Sequence, residues 1–453
     1  MSHPEVHGVV VLARNGDRSE CYQHPVTYKP STTESTPLGE VQAHKLGSTL
    51  RDIYFNPESS SQIQGVSTEI VNLKEVHVRV KVGGEGASVF DSATATLQGL
   101  FPPNPKNQIT LANETTIVAP LNGYQYIPVE TVEPSNDRSL ESWTDCPSFQ
   151  NHVKKVMSSD KFKKAEKDAA PFLNDVRDFV FGRPTTMENM YNLWDYMSSE
   201  LVHNVTYAHR LPPTFIEQAR GWADMRESAI FSDENMNGVG NIASRTALSS
   251  VISALQRVAF NGDPLQFMLI ESTYQPFISL FHQTEAVKRY PELAAIPDYG
   301  SALAIELRRA PPPDAREFLR FKWRNGTNED FRTIHVFGHR EDIPLTEFIY
   351  RLEGSLIHSN NEWARACGIG LHETSSWLTL PDSVNNITAG NKFLEGSLIL
   401  GMIFFLMMFT WLGSYLFKGY RRRSALRLRG EEAGLGVTNY GSANEKNMAQ
   451  HRN

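Results

Sequence analysis

The stretch Gly8–Arg18, GVVVLARNGDR, decides how this chain is to be read. From Val6 to Leu12 the chain is largely apolar and β-branched, the pattern of a strand buried on both faces in a sheet covered by helices. That strand runs out into Arg14-Asn15-Gly16-Asp17-Arg18. In an open α/β sheet, ligands bind beyond the carboxyl ends of such strands. Two guanidiniums four residues apart, separated by a glycine that lets backbone approach a ligand, form an anion clamp, although the same pentapeptide alone also suits a solvated charged turn.

Working outward, Pro37–Phe55 spaces Leu38, Val41, Leu46, Leu50 and Ile53 as a helix does. Val76–Val82 alternates as a strand, and Ser92–Phe101 reads as a helix stopped by Pro102 and Pro103. Residues 150–260 are helical in pattern, most clearly Met187–Val202, Pro213–Ile230 and Ile242–Phe260. Strand signals return at Leu265–Ile270, Ser301–Leu307, Phe318–Trp323 and Thr333–Phe337. This order predicts a mixed α/β sheet flanked by helices, its two parts (1–149 and 263–377) separated by a helical cap insertion at 150–262.

The whole chain has 453 residues, 40% hydrophobic and 21% charged, which excludes disordered and fibrous classes. With 44 basic against 51 acidic side chains, the net charge of -7 argues against a nucleic-acid partner. Three cysteines cannot build a disulfide scaffold, so a hydrophobic core must carry stability; Cys146 and Cys367 could pair in an oxidising lumen, leaving Cys21 over. The 14 histidines show no metal spacing, and Glu200 with His203 reads as a capping or surface pair, so neither metal nor cofactor is expected.

Ser397–Phe417 is a run of 21 residues without a charge, long enough for a transmembrane helix across a lipid bilayer. Six basic residues follow between Lys418 and Arg429, which places the tail 418–453 in the cytosol and residues 1–395 outside or in a lumen, above a polar stalk at 378–396. Sequons at Asn113, Asn204, Asn325 and Asn386 all precede the span. The opening residues have no apolar signal region, so either a signal peptide is missing from this sequence or the span inserts as a tail anchor; the arginine cluster that a tail anchor would carry across the membrane favours the missing signal.

Longer blocks carry a resemblance. VVVLARNGDR is followed by TPLGEVQAHKLGSTLR at 36–51 and VHVRVKVGGEGASVFDSATATLQGLFPP at 76–103. MENMYNLWDYMSSELVHN (187–204), GVGNIASRTALSSVI (238–252), ALAIELRR (302–309) and FLRFKWRNGT (318–327) continue it. Together they resemble the histidine acid phosphatase family, of phosphoglycerate mutase-like fold, over residues 6–370, and look closest to its fungal, membrane-anchored members. In that family the histidine of R-H-G attacks phosphorus, arginines hold the phosphoryl oxygens, and a later His-Asp pair protonates the leaving group. The resemblance implies phosphate binding by Arg14, Arg18 and Arg79. Asn15 stands at the nucleophile position, Glu20 at a proline, and Glu271-Ser272-Thr273 where His-Asp-Thr is expected. Glu271 could donate a proton; Ser272 could only hydrogen-bond. Gly83–Gly86 stands in place of the family's S-x-D region and reads as an anion-cradling turn or, more often for a lone glycine run, a plain loop.

A carboxamide nitrogen is conjugated and non-nucleophilic, so Asn15 should cost on the order of 10⁴ in turnover or more. Asp17 is a conceivable substitute nucleophile, although a salt bridge to the clamp arginines suits it better. Three functions are expected in order. The first is a membrane-tethered, catalytically impaired phosphatase-like ectodomain that binds a phosphate or phosphomonoester ligand. The second is an acid phosphatase with an altered mechanism, and the third a cell-surface interaction module with a vestigial pocket.

Overall fold

Strand β1 (Glu5–Arg14) is covered on both faces, and Val9 to Ala13 are each at most 1% exposed. Val9, Val11 and Ala13 pack with the helices Pro37–Tyr54 and Ser88–Leu100, while Val10 and Leu12 pack on the helix Ile242–Phe260. The alternation of a pleated strand thus sends its side chains into two separate cores. The computed structural model describes residues 4–370 apart from 261, 311–312 and 314–315. The expected stalk, span 397–417, tail and the sequon at Asn386 lie outside the described residues. Among the described residues, no helix is long and apolar enough to cross a membrane.

The strands that follow are β2 (Val76–Lys81), an exposed hairpin of β3 (Gln108–Thr110) and β4 (Thr116–Val118), and β5 (Glu130–Val132). Then come β6 (Phe267–Ser272), β7 (Ala302–Arg309), β8 (Glu317–Arg324), β9 (Arg332–Ile334) and β10 (Ile343–Pro344). The main sheet runs β10-β8-β7-β1-β6-β2-β5, with β9 beside β8. β1, β6, β2 and β5 are parallel, whereas β7 lies antiparallel to β1 and β8 antiparallel to β7. The sheet is therefore mixed, and the carboxyl ends of β1, β6 and β2 converge on one edge.

Between β5 and β6 the chain is helical from Pro147–Met157 through Ile242–Phe260. Most of these helices share a core of their own, including Phe149, Trp194, Tyr196 and Phe231. Several boundaries differ from the sequence reading, among them the strand expected over Thr333–Phe337, which ends at Ile334, and two that lie next to the end of β1. The helix expected from Ser92 begins at Ser88, and the strand expected to end at Ile270 continues to Ser272. Both extensions have partners: Arg14 on β1 pairs with Ser272, and the Ser92 hydroxyl donates to the Ser88 carbonyl while accepting the Gly16 N–H, both at 3.0 Å.

The turn after β1 lies hard against the start of the helix Pro37–Tyr54. A Cβ on Gly16 would sit 2.2 Å from the Gly39 carbonyl oxygen, and one on Gly39 would sit 2.0 Å from that of Asp17. Both positions need glycine for this approach. Thr36 caps the helix by accepting the Gly39 N–H and donates to Asp17 at 2.6 Å, which locks the turn to the helix.

Cys146, at the head of the helical insert, is bonded to Cys367, just after the helix Asn360–Ala366, across 221 residues of chain; Cys21 is free and buried. Closing so long a loop restricts the unfolded chain, so replacing both cysteines with alanine should lower stability by about 2–5 kcal/mol. Denaturant melts of the oxidised protein and the double variant measure this, and coincident midpoints would refute it.

Candidate active site

The end of β1 delivers both clamp arginines to one buried cleft. Arg14, 2% exposed, donates through Nη1 to the Pro297 carbonyl and lies 4.3 Å from the centre of the Tyr299 ring. Its Nε is buried without a partner among the described residues. Arg18 makes two hydrogen bonds to Asp195, at 2.8 and 3.0 Å, and a longer one to the Tyr191 hydroxyl at 3.3 Å. Burial works against its charge, but Asp195 holds the Arg18 guanidinium well above its ordinary pKa. Asp195 also accepts the Cys21 N–H at 2.9 Å. Burial pushes that thiol up to about 11, so it is not a reactive thiolate.

Asn15 is 3% exposed and lines the same cleft. Its side-chain N–H donates to the Gly16 carbonyl at 2.8 Å, while its backbone is held by the Ser272 carbonyl and the Gly300 N–H. A third cation enters from the end of β2. Lys81 sits between Glu85 and Glu141, the latter at 2.7 Å, and those carboxylates keep its pKa raised against the effect of burial. Three cations thus face three carboxylates, and Asp195, Glu85 and Glu141 are each at most 4% exposed. The cavity left among them is small, about 30 Å³, room for a water or two.

Several sequence expectations are corrected by this geometry. Arg79 does not join Arg14 and Arg18. It lies two residues before Lys81 on the same face of β2, and its guanidinium meets Asp137 at 2.6 Å, Glu130 at 3.0 Å and Ser250 in a separate side cleft. Glu271 and Ser272 do not line the cavity either. Because β6 runs to Ser272, the turn reaching the cleft is Thr273-Tyr274-Gln275. Glu20 pairs outward with Arg183 at 2.7 Å. Asp17 is held by Thr36 and by His203 Nε2 at 2.7 Å, not by the clamp arginines. The turn Gly83–Gly86 turns its Glu85 inward, which puts a carboxylate where an anion cradle was considered.

Lys81, Glu85, Glu141, Asp195 and His203 were not found as site residues from sequence. Asp195 left a trace: it is the one acidic residue in the largely apolar and aromatic run Met190–Met197, which is buried throughout. Such a charge inside a buried helix face needs a partner. The identity of that partner comes only from the fold.

Comparisons with known proteins agree with this architecture. The model of the histidine phosphatase superfamily (branch 2) matches residues 6–374. The human lysosomal acid phosphatase is 28% identical over 210 residues, 45% of this chain and 44% of that protein. The lysosomal acid phosphatase of Bos taurus is 26% identical over 216 residues, with the same shares. The matched stretch thus spans less than half the length of these relatives. Among solved structures, the Klebsiella sp ASR1 phytase superposes with a TM-score of 0.54 at 12% identity, covering 84% of this chain and 100% of that one. The apo Hafnia alvei phytase gives 0.53 at 11%, covering 81% and 99%. At such identities the structural likeness is one of fold.

Behind the cleft, Glu271 is fully buried with neither carboxyl oxygen partnered, and burial alone pushes its pKa up from 4.5 to about 8. Between those values the unfolded chain releases a proton that the folded chain keeps. Its contribution is therefore most favourable below pH 4.5 and is lost as pH rises towards 8, by up to about 1.4 kcal/mol per pH unit. His282, pushed down to about 4 by burial, acts in the opposite sense below its ordinary value and is common to wild type and variant. Glu271→Gln should thus gain stability relative to wild type progressively from pH 5 to pH 8. Thermal melts across that range test this, and parallel profiles for the two proteins would contradict it.

Proposed function

Since the chain belongs to the histidine phosphatase superfamily (branch 2), we propose that it is a phosphatase-fold protein that does not turn over phosphomonoesters. One observation carries this reading: the residue at the end of β1, between the two buried arginines, is Asn15. Its carboxamide cannot supply the lone pair that a covalent phosphoryl intermediate requires. The charge balance of the cleft supports the same reading. A dianionic phosphate would have to enter beside Asp195, Glu85 and Glu141, whose cations are already neutralised. The proton donor is weakened as well, because Glu271 and Ser272 lie behind the cleft and Thr273 faces it. The uncharged run at 397–417 with its basic flank supports attachment of this body to a lipid bilayer.

A second reading, retention of a phosphate-bearing ligand, rests on the buried and unpartnered Nε of Arg14. A guanidinium N–H without a partner is costly unless an acceptor reaches it. On this reading an anion exchanges with the Asp195 side of the cleft, and the ligand is bound without being cleaved.

Two measurements decide between these readings and an active enzyme. Hydrolysis of p-nitrophenyl phosphate between pH 4 and 7 should be absent in wild type and remain absent or slight in Asn15→His, since one imidazole does not remove the carboxylates. Hydrolysis by wild type that disappears in Arg14→Ala would overturn the proposal. Calorimetric titration with orthophosphate tests the second reading. Asp195→Asn, checked for folding by circular dichroism, should tighten phosphate binding by about tenfold or more, and equal affinities would refute ligand retention.

A further inference from the structure

A separate cleft of about 520 Å³ lies beside the β2–β5 edge, between the helix Ile242–Phe260 and the segment 357–363. Its volume falls within the roughly 300–1,000 Å³ typical of ligand sites. Short side chains keep it open: Thr246, Ser249, Ser250 and Ser253 recur at helical spacing along its floor.

Each arginine of its lining is met by at least one carboxylate, and His77 shares Glu130 at 2.8 Å. Arg79 is paired with Asp137 and Glu130, Arg257 with Asp263 at 2.9 Å, and Arg138 more loosely with Asp145 at 3.6 Å. No lining arginine is left without a carboxylate partner to select an anionic ligand. Apolar selection is also weak. The apolar lining residues Ala254, Met268, Ile357 and Trp363 are all at most 5% exposed, so no pocket awaits a peptide or lipid side chain. What remains is neutral hydrogen-bonding capacity. The Ser139 hydroxyl is buried without a hydrogen-bond partner among the described residues, and the side chains of Ser253 and Asn136 are exposed at the cleft. His358 spends Nδ1 on Ser249 at 2.8 Å, which leaves Nε2 for a ligand.

We propose that this cleft binds a neutral, polyhydroxylated ligand of the oligosaccharide class, at a site independent of the strand-end cavity. Each sugar hydroxyl is donor and acceptor at once, and so matches closely set hydroxyl, amide, imidazole and carboxylate groups. The partner carboxylates are 26–48% exposed, so such a ligand replaces water around them without stranding a buried charge.

The test uses the full-length chain in detergent with three neutral trisaccharides, mannotriose, chitotriose and laminaritriose, and a sulfated trisaccharide. Saturation-transfer NMR and thermophoresis read binding. Ser253 is exposed, so Ser253→Trp fills the cleft without entering the core, and an unchanged melting temperature verifies its fold. The expected result is saturable binding of at least one neutral trisaccharide, weakened about tenfold or more by Ser253→Trp and not displaced by saturating orthophosphate. Absence of neutral-sugar binding, binding of the sulfated sugar alone, insensitivity to Ser253→Trp, or displacement by phosphate would each overturn it. These outcomes do not depend on whether the strand-end cleft turns over or binds phosphate.

Discussion

The buried ion pair between Arg18 and Asp195 sets the conditions for everything around it. A guanidinium drawn out of water at the end of a central strand must be met by an anion, because an unpaired buried charge costs several kcal/mol. Here the anion comes from the helical insert, on the helix Met190–His203, and the contact is bidentate. One interaction therefore joins the sheet to the insert, draws the Cys21 backbone into the same carboxylate and brings Tyr191 over the cleft. Lys81 is met in the same way by Glu85 and Glu141. The result is a site whose cations are satisfied from within.

That internal satisfaction bears on chemistry. Phosphoryl transfer depends on positive groups aimed at charge that develops on phosphoryl oxygens, and on their being free to meet it. In this cleft the positive groups are occupied, the residue between the arginines is a carboxamide, and the cavity is small. Arg14 is the exception, bound through Nη1 but not through Nε. The side cleft has the opposite character. Its ion pairs are partly exposed, its volume is larger and several hydrogen-bonding groups are open to a ligand.

Much of the fold was legible because it rests on local periodicity. The Val6–Leu12 run, the spacing in Pro37–Phe55 and the return of strand signals after residue 263 each record how side chains partition between core and water. The site was legible only at Arg14, Asn15 and Arg18, which follow one strand without interruption. Arg79 was misplaced because strand alternation puts it on the correct face but two residues too early, where Asp137 and Glu130 hold it. Glu271 was misplaced because β6 gains two further residues from its pairing with β1, and a strand end cannot be located to two residues from propensity alone.

By itself, then, the sequence determined the class of fold, the family, the three-residue centre at the end of β1 and the loss there of a nucleophilic nitrogen, since these depend on residue type and near-neighbour spacing. Only the tertiary structure decided which charges meet across the cleft. Asp195 lies 177 residues from Arg18, and Glu141 lies 60 from Lys81. Desolvation couples such groups through space, and no local pattern encodes that coupling.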